Sequence, residues 1–394
     1  MKISLYKPLL SSFALAAVTV TMLAANPVHA DSTEINLYSY RQPFLIKPML
    51  DAFTASTGIK VNAVFAKKGM LEKIRAAGAN NPADAVLTVD IGRLNALREA
   101  GVLDTVDSPV LQANIPAHLR SPDNLWFGLT TRARVALVSK DRVAPGALTS
   151  IADLADPKFK GRICIRSGKH AYNIALIASQ IAHNGEETTE KWLRGLKSNL
   201  ARKPQGNDRA QAKAIFEGVC DIAMANNYYM GKMITNDKKP EQKAWAAAVR
   251  LVYLDQNGRG QHMNVSGAAV VKGTKNKAAA VKLLEFLSGD LAQQMYAEMN
   301  HEYPVKPGVA KSDLVQSWGD FKMDPLSIET IAKNRPAASK LIDKVGFNDG
   351  PNSWRNQHFQ IVGPLIIVGR PVFVRAFNVS LPGELITCHP PPPS

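Results

Sequence analysis

Short apolar runs and helical stretches alternate along the chain from residue 35, and this alternation restricts the fold more than any other feature. The segment "INLYSY" has the composition of a strand, and "FLIKPMLDAFTASTG" repeats apolar residues at helical spacing until Gly58. The same order recurs in "KVNAVFA" with "GMLEKIRAAGA", and in "DAVLTV" with "IGRLNALREAG". Strands that alternate with helices predict an α/β fold with a largely parallel sheet.

A second α/β block follows the first, so the chain is expected to form two lobes. This block contains the helical stretch "AYNIALIASQIAHNG" and the apolar run "CDIAMA", and the segment "DQNGRGQHMNVSGAAVVKG" indicates a return crossing. We predict that each lobe is a mixed, mostly parallel sheet flanked by helices, with a ligand cleft between the lobes. The predicted boundaries are residues 31–131 for the first part of lobe 1, 132–255 for the first part of lobe 2, 256–300 for the return to lobe 1, and 301–350 for the remaining helices, mainly in lobe 2.

The two ends of the chain differ from this pattern. Lys2 and Lys7, the apolar stretch "SSFALAAVTVTMLAA" and small residues before Ala30 are typical of a secretory signal peptide over residues 1–30, cleaved after Ala30. A membrane anchor is the alternative, but the apolar run is short for a span. The product is therefore expected to be soluble and periplasmic. Residues 351–394 lack a clear helical period and end in "PPPPS", and we predict that this tail lies outside the core.

The net charge limits the expected partners of the protein, and the cysteine content predicts a disulfide. The formal net charge is +15, and removal of Lys2 and Lys7 leaves +13. Without a dense Lys/Arg tract or zinc-finger spacing, a nucleic-acid partner is not expected, and a solvated basic surface is the simplest interpretation. Because export permits disulfides, we predict a bond between Cys164 and Cys220, with two buried thiols as the alternative.

Three tyrosines occupy positions that suit a metal site. Tyr172 lies at the predicted start of a helix, and Tyr228 and Tyr229 follow the apolar run "CDIAMA" in the same lobe. Phenolates are hard, anionic oxygen donors, and three of them match the charge of Fe³⁺, whereas Ca²⁺, Mg²⁺ and Zn²⁺ use other ligands. Aromatic packing, or stacking on a sugar, polyamine or heterocycle, is the alternative interpretation of these residues.

Three ligands leave an octahedral ion half coordinated, so water or a small chelating anion is expected to complete the shell. Arg41 in "YSYRQP", with Arg132 and Arg134 in "TTRAR", could hold such an anion, because guanidinium groups match carbonate-like oxygens. Solubility at the surface is the alternative role for these arginines.

Several stretches together resemble the ferric-ion-binding periplasmic proteins of bacterial iron ABC importers, a branch of the type II periplasmic binding fold. They are "NLYSYRQPFLIKPML", "WFGLTTRARV", "RSGKHAYNIALIA", "CDIAMANNYYMGKM", "HMNVSGAAVVKG" and "EYPVKPG". The resemblance covers roughly residues 35–345. It implies a bilobal protein, expected to be a monomer, that binds Fe³⁺ through Tyr172, Tyr228 and Tyr229 and delivers it to an inner-membrane permease.

One loop departs from that family pattern. Some members have a His–Tyr pair after the first strand, where this chain has Gln42 and Pro43. The departure favours a site completed by a synergistic anion, carbonate or a similar ion, held by Arg41.

Other candidate residues and functions have simpler interpretations. His170 is interpreted as an exposed loop residue rather than a pH-sensitive neighbour of the site, His262 as packing or interlobe hydrogen bonding, and Asp90 as a helix cap. No G-x-S-x-G or H-E-x-x-H motif indicates an enzyme. The alternative function is the same fold binding an organic ligand such as a polyamine, thiamine or a phosphonate.

Overall fold

A computed structural model of the protein describes residues 33–351. The predicted signal peptide lies outside the described residues, as does the predicted tail apart from Pro351. None of the described helices combines the length and apolar character that a membrane crossing needs.

Ten strands and thirteen α-helices alternate within the described residues. The strands are β1 (Glu34–Ser39), β2 (Lys60–Phe65), β3 (Ala85–Leu87), β4 (Leu103–Asp104), β5 (Phe127–Ser139), β6 (Ile163–Cys164), β7 (Ile222–Asn226), β8 (Val249–Val252), β9 (Met263–Val271) and β10 (Tyr303–Pro304). The helices are α1 (Pro43–Thr57), α2 (Met70–Ala77), α3 (Ile91–Glu99), α4 (Pro109–Asn114), α5 (Ala171–Ser198), α6 (Asp208–Phe216), α7 (Tyr228–Ile234), α8 (Glu241–Ala247), α9 (Lys277–Ser288), α10 (Asp290–Asn300), α11 (Asp313–Gln316), α12 (Ile328–Lys333) and α13 (Arg335–Lys344). The alternation confirms the predicted α/β class.

Strand β5 connects two halves of the sheet. The strand order is β2-β1-β3-β9-β5-β7-β6. Residues Phe127–Ala133 of β5 pair with β9, whereas Arg134–Val138 pair with β7. We call β1, β2, β3 and β9 the first sheet half, and β6, β7 and β8 the second sheet half. Because β5 belongs to both, the side chains near its middle lie at the junction of the two halves.

Parallel pairings are the minority in this mixed sheet. Among the described strands, β1–β2, β1–β3 and β6–β7 are parallel. The other six pairings, which all involve β5 or β9, are antiparallel. This corrects the expectation of a mostly parallel sheet. The chain enters the second half and returns from it along adjacent long strands, and adjacent strands of opposite direction form antiparallel ladders.

The core covers both faces of the long strands. All thirteen residues of β5 and all nine of β9 are buried. A strand buried on both faces usually reads as a continuous apolar run. The middle of β5 instead carries Thr130, Thr131, Arg132 and Arg134, all buried. Buried guanidinium groups require partners, so this part of the strand marks a polar site inside the sheet.

A disulfide lies in the second sheet half. It joins Cys164, the last residue of β6, to Cys220, which precedes the neighbouring strand β7, and the two Cα atoms are 5.9 Å apart. Both residues are buried. The bond therefore links two parallel neighbours of the sheet to each other.

We expect this disulfide to contribute strongly to stability. It spans a sequence separation of 56 residues, for which loss of chain entropy in the unfolded state predicts about 4 kcal/mol. Urea denaturation of the double variant Cys164→Ala/Cys220→Ala should show a lower free energy of unfolding by up to that amount. As a control, reductant should lower the midpoint of the wild type and leave that of the double variant unchanged. Equal midpoints for oxidised and reduced wild type would contradict the prediction.

Candidate metal centre

The three tyrosines predicted as metal ligands meet at one place. Tyr172 is the second residue of α5, and Tyr228 and Tyr229 open α7 directly after β7. The Oη atoms of Tyr172 and Tyr228 are 3.1 Å apart, within hydrogen-bond distance. The ring centroids of Tyr228 and Tyr229 are 4.5 Å apart. Residues separated by more than fifty positions along the chain therefore present their phenols together.

His170 positions the start of the helix that carries Tyr172. Its Nδ1 accepts a hydrogen bond of 3.3 Å from the backbone N–H of Tyr172, which makes His170 the N-cap of α5. Burial and the nearby charge of Arg166 lower the pKa of His170 to about 4, so the ring is neutral at pH 7. The structure corrects the expectation of an exposed loop residue: His170 is half-buried, with its ring 4.4 Å from that of Tyr172.

Burial keeps two of the phenols protonated in the metal-free protein. It raises the pKa of Tyr228 well above its usual value of 10, and Tyr172 and Tyr229 add to the shift because neighbouring phenolates would repel one another. Burial likewise raises the pKa of Tyr229 to about 12. A phenolate here needs a compensating positive charge beyond what the apo cavity supplies.

The phenols open into a cavity of about 450 Å³. Its lining consists of Tyr40, Arg41, Gln42, Phe44, Leu45, Val89, Arg132, Tyr172, Arg209, Tyr228, Tyr229, Lys232, Ser266, Asn300 and Glu302. Four of these side chains are cationic and one is a carboxylate. The side chains around the three phenols therefore give the cavity a net positive charge.

Arg41, in the loop after β1, and Arg132, in β5, both line the cavity and share one hydroxyl. Arg41 Nη2 and Arg132 Nη1 donate to Ser266 Oγ at 2.7 and 2.6 Å. Arg41 also forms an ion pair of 3.0 Å with Glu302. Both arginines are buried, and Nε of Arg41 and Nε and Nη2 of Arg132 lack a hydrogen-bond partner within residues 33–351. Buried, unsatisfied guanidinium donors are costly, and an anion would satisfy them.

Arg134 does not line the cavity. Its guanidinium donates to Asp208 Oδ2 and to Asn173 Oδ1, both at 2.8 Å. Alternation along β5 places Arg132 and Arg134 on the same face. Arg134, however, is paired with β7 of the second sheet half, whereas Arg132 is paired with β9. Both Nη atoms of Arg134 are bonded internally, and although its Nε lacks a hydrogen-bond partner within residues 33–351, the side chain lies outside the cavity lining.

Two other residues singled out in the sequence, Asp90 and His262, do not line the cavity. Asp90 caps α3, because its Oδ1 accepts from the backbone N–H of Arg93 at 3.2 Å, as predicted. His262 is buried before β9, and its carbonyl oxygen accepts from the backbone N–H of Arg134 at 3.1 Å. That bond joins β5 to the returning chain.

Several cavity residues were missed by the sequence analysis. Arg209 is the second residue of α6, and its guanidinium lies 5.3 Å from the ring centre of Tyr229. Lys232 lies one helical turn after Tyr228 in α7, a spacing that could have indicated a shared face. Burial lowers the pKa of Lys232 to about 8. Glu302 lies within the stretch "EYPVKPG", which carries part of the family resemblance.

Comparison with known proteins identifies the family of this chain. The family model described as bacterial extracellular solute-binding protein matches residues 48–323. The chain belongs to the bacterial extracellular solute-binding proteins.

Among members of this family, iron-binding proteins are similar over most of the chain. Iron uptake protein A1 of Synechocystis is 45% identical over 318 residues, covering 80% of this chain and 88% of the relative. The apo ferric ion-binding protein A of Pasteurella haemolytica is 51% identical, with a TM-score of 0.76, covering 81% of this chain and 99% of that one. A Trichodesmium protein solved with iron and citrate ligands is 44% identical, with a TM-score of 0.77, covering 80% and 99%. These structures also establish the type II periplasmic binding fold.

In this solute-binding protein the donor set around the cavity is phenolic. Within residues 33–351, no group of three or more His, Cys, Asp or Glu side chains is arranged to hold a metal ion. Gln42 lines the cavity, and Pro43 begins α1. The loop that lacks the His–Tyr pair of some family members thus contributes an amide at the cavity wall and a helix start.

We expect Tyr229 to resist ionisation in the metal-free protein. Because burial raises its pKa to about 12, the variant Tyr229→Phe should match the wild type in an ultraviolet titration of tyrosinate absorbance up to about pH 11. The difference between the two proteins should develop only above that pH. Loss of an ionisation step centred near pH 10 in the variant would contradict the assigned shift.

Proposed function

We propose that this protein is the solute-binding component of an iron ABC importer and that Tyr172, Tyr228 and Tyr229 bind Fe³⁺ as phenolates. The observation that carries the proposal is the convergence of the three phenols in one cavity, with the Oη atoms of Tyr172 and Tyr228 3.1 Å apart. The two strongly similar bacterial proteins named for iron uptake and ferric ion binding support the same cargo.

The protonation of the site supports a trivalent ion. Burial makes phenolates unfavourable in the metal-free cavity, so the bound ion has to supply enough charge to displace the protons. Three phenolates then cancel the charge of Fe³⁺, whereas a divalent ion would leave a buried negative charge. Hard phenolate oxygens also suit a hard ion.

The remaining charge of the cavity supports a synergistic anion. Once three phenolates neutralise Fe³⁺, Arg41, Arg132, Arg209 and Lys232 outnumber Glu302 among the lining residues. The unpartnered donors of Arg41 and Arg132 can bind carbonate or a similar anion, which would complete the iron coordination. These two arginines are the anion site that we propose.

The same charge argument bears on the alternative function. A polyamine or thiamine is cationic, and the positively charged wall would repel it. A phosphonate remains compatible with that wall, but it gives no reason for three converging phenols. A phenolate–iron complex absorbs visible light and a phosphonate complex does not, so colour separates the two functions.

We further propose how the protein acts in the cell. The signal peptide is cleaved after Ala30, and the protein works in the periplasm as a monomer. Closure of the two lobes around the cavity would bury the iron, and the inner-membrane permease would open them to take it. On this proposal the protein binds and delivers iron without catalysing a reaction.

Removing one phenol oxygen should abolish strong iron binding. Ferric nitrilotriacetate added to the wild type should produce an orange-red charge-transfer band. Tyr228→Phe or Tyr229→Phe should weaken iron binding by about a hundredfold or more, because each removes a ligand oxygen and little volume. Spectroscopic titration in competition with citrate measures the change.

Tyr253→Phe is the matched control for these variants. The hydroxyl groups of Tyr253 and Tyr303 form a hydrogen bond, with their Oη atoms 2.7 Å apart, and Tyr253 does not line the cavity. This variant should keep the wild-type band and affinity. Unchanged iron titration of the Tyr228 and Tyr229 variants would refute the ligand assignment, and a colourless wild type would refute the proposed function.

Iron binding should release protons and strengthen as pH rises. Because a phenol must lose its proton to bind the metal as a phenolate, a pH-stat at pH 7 should record about three protons per iron after subtraction of the iron donor's own release. Tyr228→Phe should release one fewer in the fraction that still binds. Affinity independent of pH between 6 and 8 would show that the phenols are not the ligands.

A further inference from the structure

One buried carboxylate links the segments that carry the three phenols. Asp208 is the first residue of α6, has no exposed surface and does not line the cavity. Its Oδ2 accepts from Arg134 Nη1 at 2.8 Å, and its Oδ1 accepts from Arg166 Nη1 at 3.0 Å. A buried carboxylate with two guanidinium partners is compensated in charge and fixed in direction.

The two guanidinium groups held by Asp208 lie against the ring of Tyr172. Their Cζ atoms are 5.8 Å (Arg134) and 5.4 Å (Arg166) from its centroid. Contacts of this kind between a cation and an aromatic ring are attractive, more so when they are desolvated. The orientation of the Tyr172 ring therefore depends on where Asp208 holds its two partners.

The side-chain amide of Asn173 connects these two arginines to the helix turn that carries Tyr172. Asn173 Oδ1 accepts from Arg134 Nη2 at 2.8 Å, and Asn173 Nδ2 donates to the carbonyl oxygen of Arg166 at 3.0 Å. The first turn of α5 is thus attached to the same two arginines.

The same carboxylate also holds the strand that leads to the other two phenols. The backbone N–H of Asn226, the last residue of β7, donates to Asp208 Oδ2 at 2.9 Å. Tyr228 follows two positions later. Beside Asp208 in α6, Arg209 lies over the ring of Tyr229. The start of α6 therefore contacts both phenol-bearing segments.

We propose that Asp208 is the positioning residue of the metal centre: it holds the Tyr172 ring, through Arg134 and Arg166, at a fixed distance from Tyr228 and Tyr229. This inference rests on the proposed function. It also gives Arg134 a role other than anion binding. In metal sites, the side chains that bind the metal generally need to be held in place by neighbouring groups that do not touch the metal.

Asp208→Asn tests the proposal with little change in shape. The amide keeps one acceptor oxygen and loses the charge that binds two guanidinium groups. With ferric nitrilotriacetate as the probe, we expect the charge-transfer maximum to move and the iron affinity to fall by about tenfold or more.

Asp221→Asn is a matched control. Asp221 also accepts from two arginines, Arg142 and Arg162, but it does not line the cavity, and within residues 33–351 neither arginine lies over a tyrosine ring. Both variants should lose thermal stability. Only Asp208→Asn should change the visible band and the affinity.

Arg166→Gln provides a second test if Asp208→Asn fails to fold. The Arg166 side chain is 12% exposed, and its replacement leaves Asp208 paired with Arg134. It should shift the band in the same direction by a smaller amount. If every folded variant at these two positions has the band and affinity of Asp221→Asn, the positioning role is wrong. A wild type without a band would instead refute the proposed function itself.

Discussion

The need to pair charged side chains inside a sheet organises this protein. Strand β5 is buried along its whole length and yet carries Arg132 and Arg134 at the junction of the two sheet halves. An isolated buried charge is prohibitively costly, and removal of one partner from a buried pair typically costs about 3–5 kcal/mol. Arg134 is neutralised by Asp208. Within residues 33–351 the Arg132 guanidinium hydrogen-bonds the hydroxyl of Ser266 and lies over the Tyr172 ring, and its Nε and Nη2 remain without a hydrogen-bond partner beside the cavity that it lines.

The phenols need a positively charged partner before they can ionise, whereas the guanidinium groups need a negatively charged one. Burial opposes the ionisation of Tyr228 and Tyr229, so both phenols keep their protons in the metal-free cavity, beside unsatisfied guanidinium donors. Neither feature contributes to stability by itself. On the proposed function, they suit a trivalent cation accompanied by an anion, because the cation would displace the protons and the anion would satisfy the donors. This complementarity favours a site in which the two ions bind together.

The sheet topology explains why such a site lies where it does. Because β5 belongs to both halves, Arg132 pairs with β9 and Arg134 with β7. Tyr172 begins a helix of the second half, and Arg41 follows β1 of the first half. A cavity bounded from both sides can change shape if the halves move, whereas the contacts of Asp208 all lie around the second half and would move with it.

The sequence by itself determined the α/β class, the exclusion of the usual divalent-metal motifs, and the three tyrosines, because periodicity and residue chemistry are local properties. It also indicated that Cys164 and Cys220 could pair, since both lie in short apolar runs. Only the tertiary structure decided the antiparallel pairing of β5 and β9, the separate roles of Arg132 and Arg134, and the presence of Arg209, Lys232 and Glu302 at the cavity. Those depend on which residues distant in the chain lie next to each other. Asp208 shows the difference most clearly: in sequence it is an ordinary acidic residue at a helix start, and its partners come from three other segments of the chain.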